Sequence, residues 1–435
     1  MALDLMSFDP FTRDRFTNNR FMANRFIANR FAGVAQLAAT IRGWSRFVKV
    51  LVSVLLTVSL LSGCAVPRVS AEDRLFVDLS MSLVGHAVLP KQSFDGEPVG
   101  GISAIAYDVP RDRLYALSDN RDRPRFYTMT VTDLATAPTL TIESVTYLKD
   151  NEGNPYPPGE LDPEGLALTP SGNTVLISSE GSSKRRVAPA VGEYDLATGQ
   201  LKTVLPLPQR YIPDSVLSPE ASVEAGAQTQ GVQENLGFEA LAINVNSGTG
   251  GAYEPYRLFV ATEGPLLQDL DFAPEIPYKN RFLHYMLDPY QTDIISEHLY
   301  EMELAPTGAV LHGLSEIEVL DQGGHFLGIE RSYGFQGFGL KLYQLASGGA
   351  MDISAIDSLR SGQGADISGI NPIRKELAVD LAAVSAQNGI PLQNYEAMTF
   401  GPTLANRSQS LLIMSDDNFA PDQETSLLVF GLTQS

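Results

Sequence analysis

One plan recurs five times along this chain: an apolar strand, a turn rich in Pro, Gly, Asn or Asp, and a second apolar strand. The copies are Gly101–Asn120, Asp162–Gly181, Gly237–Gly264, Gly313–Ser332 and Asn394–Phe419. Repetition of this kind constrains a fold strongly, because a unit that cannot cover its own apolar faces must stack on its neighbours. Each copy reads as a hairpin. LYALS and VLISS are almost continuously apolar, as expected of strands covered on both faces. Further strand pairs lie between the copies: RFYTMTV with SVTYL, VGEYDL with LKTVLPL, and RFLHYML with EHLYEME. Two inner and two outer strands per repeat make a four-stranded blade, so the expected fold is all-β, a β-propeller. Five blades are visible. Residues 341–393 have room for a sixth, although Arg374–Ser385 (RKELAVDLAAVS) reads as a helical excursion. Val77–Leu89 precedes the first hairpin and Leu427–Leu432 ends the chain. The two ends are expected to complete one blade together, which removes exposed edges.

The hairpins carry acids at corresponding places. In an antiparallel pair, the start of the first strand lies beside the end of the second. Glu164 starts one strand and Glu180 ends its partner. Glu239 with Glu263, Glu316 with Glu330, and Glu396 with Asp416 bracket their turns in the same way, and Asp119 faces Ser103. Blades are radial, so these nine carboxylates are expected at one mouth of the axial channel. Like charges at such spacing disfavour ionisation, and buried carboxylates need partners. Three kinds of partner compete. A hard cation such as calcium takes about six to eight oxygen ligands, which a carboxylate ring supplies. Arginine pairs would also serve, and Arg121, Arg185, Arg186 and Arg331 follow the acids closely. Lastly, the acids would cap backbone N–H groups in a structural role.

The net charge of −20 argues against nucleic acid, whose phosphates require basic patches. The single cysteine, Cys64, excludes an internal disulfide and a cysteine zinc cluster. The histidines show no HExxH spacing. No GxSxG elbow, P-loop or complete EF-hand loop occurs. His312 falls near the acid rim, where a core or surface role outweighs that of a base.

Residues 1–63 read as an address. An unusual repeat, RFTNN-RFMAN-RFIAN-RF, leads to Arg42, Arg46, Lys49 and the apolar run VLVSVLLTVSLL. A basic flank and an apolar run of about 7–15 residues describe a secretory signal. Leu61-Ser62-Gly63-Cys64 resembles the lipobox of bacterial lipoproteins, which implies lipidation at Cys64 and anchoring in the cell envelope. Residues 64–75 would then be a short tether and 76–435 a single propeller domain.

The blocks also resemble the bacterial phytase-like propeller family, described as "esterase-like activity of phytase". The residues that carry the likeness are Gly101-Ile102-Ser103 with Leu117-Ser118-Asp119, and Asp162-Pro163-Glu164-Gly165 with Ser179-Glu180-Gly181. Gly237-Phe238-Glu239 with Glu263, Ser315-Glu316 with Ile329-Glu330-Arg331, and Glu396 with Ser415–Phe419 complete the set. Ala240 and Ala397 depart from it, where the family's Glu is usually followed by Gly. The resemblance implies a calcium-associated hydrolase of phosphorylated small molecules. Calcium would reverse the field of the carboxylates and polarise a water. Glu180 and Glu330 are the candidates for catalysis, and Arg331, Arg121, Lys184 and Arg185 for clamping the phosphates. A non-catalytic, cation-stiffened envelope propeller and a lactonase- or esterase-type propeller are the alternatives.

Overall fold

The computed structural model describes residues 75–434, apart from 219, 246–253, 274 and 363–366. The basic repeat, the apolar run and Cys64 lie outside the described residues. The chain begins with strand β1 (Leu79–Leu89) and a short hairpin, β2 (Ser93–Phe94) with β3 (Glu97–Pro98). Blade I is β4 (Ile102–Asp108), β5 (Arg113–Ser118), β6 (Arg125–Thr132) and β7 (Thr139–Tyr147). Blade II is β8 (Pro163–Leu168), β9 (Thr174–Ser179), β10 (Ala190–Asp195) and β11 (Leu201–Val204). Blade III is β12 (Phe238–Val245), β13 (Tyr256–Thr262), β14 (Lys279–Leu287) and β15 (Thr292–Glu301). Blade IV is β16 (Ala309–Val319), β17 (His325–Gly334), β18 (Gly337–Ala346) and β19 (Arg374–Asp380). Blade V combines β20 (Asn394–Thr403), β21 (Gln409–Asp416) and β22 (Thr425–Gln434) with β1 as its outer strand.

The innermost strands touch in the cycle β4, β8, β12, β16, β20 and back to β4, so the propeller closes with five blades. An apolar core fills each gap between neighbouring blades. Between I and II, for example, Leu117 and Phe126 meet Leu166 and Val175. Between IV and V, Ile329 and Leu342 meet Tyr395 and Ile413. This explains the near-continuous apolar strands: every residue of β9 is buried because both of its faces are covered. The expected joining of the two ends is present. Leu79 pairs with Gln434 and Leu89 with Thr425 along an antiparallel ladder.

Among the described residues there is no sixth blade, and the segment expected to be helical divides in two. Arg374–Asp380 is the outer strand of blade IV, pairing Tyr343 with Leu377. Only Leu381–Asn388 is helical, as α2, capped by the Asp380 side chain on Ala383 N–H at 3.0 Å and ended by Gly389 at φ 66. Lys, Glu, Leu and Ala favour helix intrinsically, but pairing with β18 overrides that preference at a solvent edge. The connection before β19 runs back along the edge of blade III, where Ile353 N–H donates to Glu297 O at 2.7 Å. Beneath it, Arg281 is fully buried between Asp269 (2.6 Å) and Glu297 (3.1 Å). The helical turn α1 (Asp214–Leu217) lies in the long connection from blade II to blade III.

Candidate functional site

All five innermost strands shift register at the same end, termed the rim here. The shift falls at Ser103 in β4, at Glu164 and Gly165 in β8, at Glu239 in β12, at Ser315 in β16 and at Glu396 in β20. A bulge leaves one residue unpaired and re-aims its side chain. Opposite each bulge the second strand arrives at Asp119, Glu180, Glu263, Arg331 or Asp416. Each of these follows the residue paired just before the shift: Ser118, Ser179, Thr262, Glu330 or Ser415. The rim is thus a ring with two equivalent positions per blade: Ser103 and Asp119, Glu164 and Glu180, Glu239 and Glu263, Ser315 and Arg331, Glu396 and Asp416. Glycine precedes the bulge where the walls approach closely. A Cβ at Gly313 would stand 2.3 Å from Glu263 Cγ.

Seven of the nine expected acids therefore meet. Glu316 and Glu330 do not, because in blade IV the bulge takes Ser315 and shifts both acids out of phase. Glu316 accepts the backbone N–H of Ile317 at 2.9 Å and of Leu241 at 3.4 Å, fastening blade IV to blade III within the channel. Glu330 turns away from the ring. It accepts from Tyr300 Oη at 2.8 Å and Lys375 Nζ at 2.5 Å.

Arg331 stands where the other blades place an acid. Its Nη2 lies 2.7 Å from Glu263 and 4.0 Å from Glu239. Its Nη1 bonds Glu396, and Asn394 Oδ1 at 3.0 Å. Arg331 is thus a built-in counter-ion for blades III to V, not a free clamp. Arg121 does the same for blade II, with Nε 2.5 Å from Asp162 and Nη2 3.8 Å from Glu180. Asn235 Oδ1 accepts from the same guanidinium at 3.2 Å. Arg185 lines a recess beside Asp162 together with Arg121, Ser182 and Glu234. Lys184 is engaged with Glu234 instead. Burial would raise the Glu234 carboxyl, but Ser182, Ser183 and Lys184 hold it below the usual range.

Two residues beyond the sequence-derived set complete the site. Asp162 joins the ring beside Glu164, and Asp417 accepts Gly101 N–H at 2.9 Å and Lys91 Nζ at 2.7 Å. Each is adjacent in sequence, or next but one, to a residue already singled out. The strand-end pairing admitted one residue per strand end and passed over them. His312 faces the other side of β16, is buried, and bonds Glu303 O at 3.0 Å through Nε2. His325 is at the opposite end of its hairpin, bonded to Asp321 at 2.7 Å and Leu75 O at 3.0 Å.

The ring is strained electrostatically. Burial pushes the carboxyls of Glu164, Glu239 and Glu396 well above their usual range, and neighbouring acids add to it at each. Glu180 is raised likewise, by burial and then by Asp162 and Glu263. Asp119 is raised by burial and by Asp416, and its Oδ1 is buried without a hydrogen-bond partner. Among the described residues, two trios bring carboxylate oxygens within 4.8 Å of one another: Asp162, Glu164 and Glu180, then Glu180, Glu239 and Glu263. Both trios lie on blades II and III and share Glu180. Their all-oxygen donor set and their surplus of acid over arginine fit a hard divalent cation.

Among solved structures, the chain resembles an endo-arabinase from Bacteroides thetaiotaomicron at 11% identity and a TM-score of 0.38, covering 77% of this chain and 94% of that one. It also resembles the catalytic domain of an α-L-arabinofuranosidase from Coprinopsis cinerea, at 11% identity and a TM-score of 0.41, covering 83% and 98%. No curated protein sequence matches. The model of the phytase-like family, described as "esterase-like activity of phytase", matches residues 97–419, and the chain belongs to that family.

Proposed function

We propose that this protein is a cation-assisted hydrolase of phosphoesters that works at the acid rim of blades II and III, with calcium as the cation. The observation that carries this reading is the pair of buried trios sharing Glu180, beside Arg121 and Arg185. Asp162, Glu164, Glu180, Glu239 and Glu263 would hold the metal, which when bound supplies positive charge to phosphate oxygens and acidity to a water. Gly237 N–H fixes one oxygen of Glu180 at 2.9 Å and so sets the direction of the other. Asn235 orients Arg121, leaving its exposed edge toward the recess where Arg185 also stands. An anion in that recess would meet two guanidinium groups on one side and the trio on the other. Glu180 is the candidate for catalysis. Glu330 is not, since Lys375 and Tyr300 already engage it. We further propose that the protein is exported and lipid-anchored at Cys64.

The test is phosphate release by the purified protein from phytate and from a chromogenic monoester, with added calcium and with chelator. Calcium-dependent release supports the proposal. Calcium that raises the melting temperature with no release from any ester would leave a stiffened, non-catalytic propeller.

A further inference from the structure

Blade IV overshoots the rim. In the other four blades the inner hairpin strands end within two residues of the ring residue, as β20 begins at Asn394, β5 stops at Ser118, β9 at Ser179 and β13 at Thr262. In blade IV, β17 continues past Arg331 to Gly334, and β16 begins at Ala309, well before Gly313. The pairs Leu311↔Tyr333 and Ala309↔Gly334 extend the ladder beyond Gly313↔Arg331. Three residues of strand raise this overhang about 10 Å above the ring.

Its surface is apolar. Phe335 at the tip is 94% exposed, Val310 66%, Tyr333 43% and Leu311 42%. Large side chains are seldom left so exposed together without a role. Alternation along a strand places Tyr333 on the same face as Arg331, and Leu311 on the same face as Gly313. That face carries Arg331 into the ring, and Gly313 abuts Glu263 of the second trio. Tyr333 also packs against Phe338 of the next strand, with ring centroids 4.8 Å apart and the rings tilted by 41°. A ligand whose anionic group is held at the second trio, and which extends outward past Gly313, would meet this hydrocarbon and aromatic surface.

We infer that the blade IV overhang is an apolar subsite of the rim, and that the ester's organic group is aromatic or alkyl instead of a polyphosphorylated polyol. The inference rests on the phosphoester reading above and commits it to a substrate class. The test is calorimetric titration of the full chain with calcium present, using methylphosphonate and phenylphosphonate, which bind without being cut. Phenylphosphonate is expected to bind about 10-fold tighter or more, as a few apolar carbons contribute in a pocket. Leu311→Ser with Tyr333→Ser should erase that preference while leaving methylphosphonate affinity unchanged. Phe335→Ser, at an exposed turn, gives a variant with no buried contact to lose and should reduce the preference partially. Equal affinities in the native protein, or a preference that survives all three substitutions, overturns the subsite. So does a Phe335→Ser variant that changes self-association or vesicle binding but not phosphonate discrimination. Phosphate release measured in parallel separates the two readings. Release without aryl preference removes the subsite alone, and aryl preference without release removes the hydrolase alone.

Discussion

Glu180 is the residue on which the candidate site turns, because it belongs to both carboxylate trios. Glu180→Gln keeps an oxygen to accept Gly237 N–H but removes one charge from each trio. Divalent-cation affinity, measured by calorimetry, is expected to fall at least about 10-fold with the fold intact; an unchanged affinity would remove the cation from the rim. Protonation offers a second handle on the same residues. Burial pushes the Asp416 carboxyl up from 3.8 to about 6, against the pull of Asn418 N–H. A carboxyl raised by folding favours the cation-free fold at low pH, fully below about 4, and that contribution is lost as pH rises through about 6. Glu164, Glu239 and Glu396 shift in the same direction. Cation binding needs the deprotonated forms, so its stabilisation grows with pH. Melting temperatures in chelator should therefore decline between about pH 4 and 7, and added calcium should restore them most at the upper end. Parallel curves with and without calcium would contradict this.

At the scale of the element, the device is the bulge repeated at the head of each inner strand. It decides which acids work together. The alternation of apolar and turn segments made the hairpins legible in the sequence, and the rule that strand starts lie beside strand ends located most of the ring. That rule assumes an unbroken ladder. A bulge adds one residue, so in blade IV it moved Ser315 and Arg331 into the places expected of Glu316 and Glu330. The serine at position 103 was already a hint that the place need not be acidic. The outer strand β19 was illegible for another reason: exposed on its outer side, it has no core pattern, and its residues individually prefer helix. The displaced acid has its own signature. Lys375 is the cation against buried Glu330, so Lys375→Met should destabilise the protein by about 3 kcal/mol, as expected when one partner of a buried pair is lost. Chemical denaturation would show this, and calorimetry should find cation affinity unaltered. A matching loss of affinity would return Glu330 to the site.

At the scale of the whole molecule, the ring is closed by the first strand of the domain pairing with the last. Without β1, Thr425–Gln434 would be an open edge of buried residues. Removal of residues 79–89 is expected to abolish the single cooperative unfolding transition and to promote association, seen by calorimetry and sedimentation. A monomer with a native-like transition would show that four strands are not needed in blade V. Lys91 and Asp417 reinforce the closure at the rim, where Asp417 also holds Gly101 of blade I.

That closure also has a direction. β1 meets its partner first at Leu79↔Gln434, at the end of the propeller away from the rim, and last at Leu89↔Thr425. A pull on Leu79 directed along the strand axis, against a load held at the rim, would make the hydrogen bonds of the ladder slide together. In that direction the closing strand would be loaded in shear, where a ladder resists more than when it is peeled from one end.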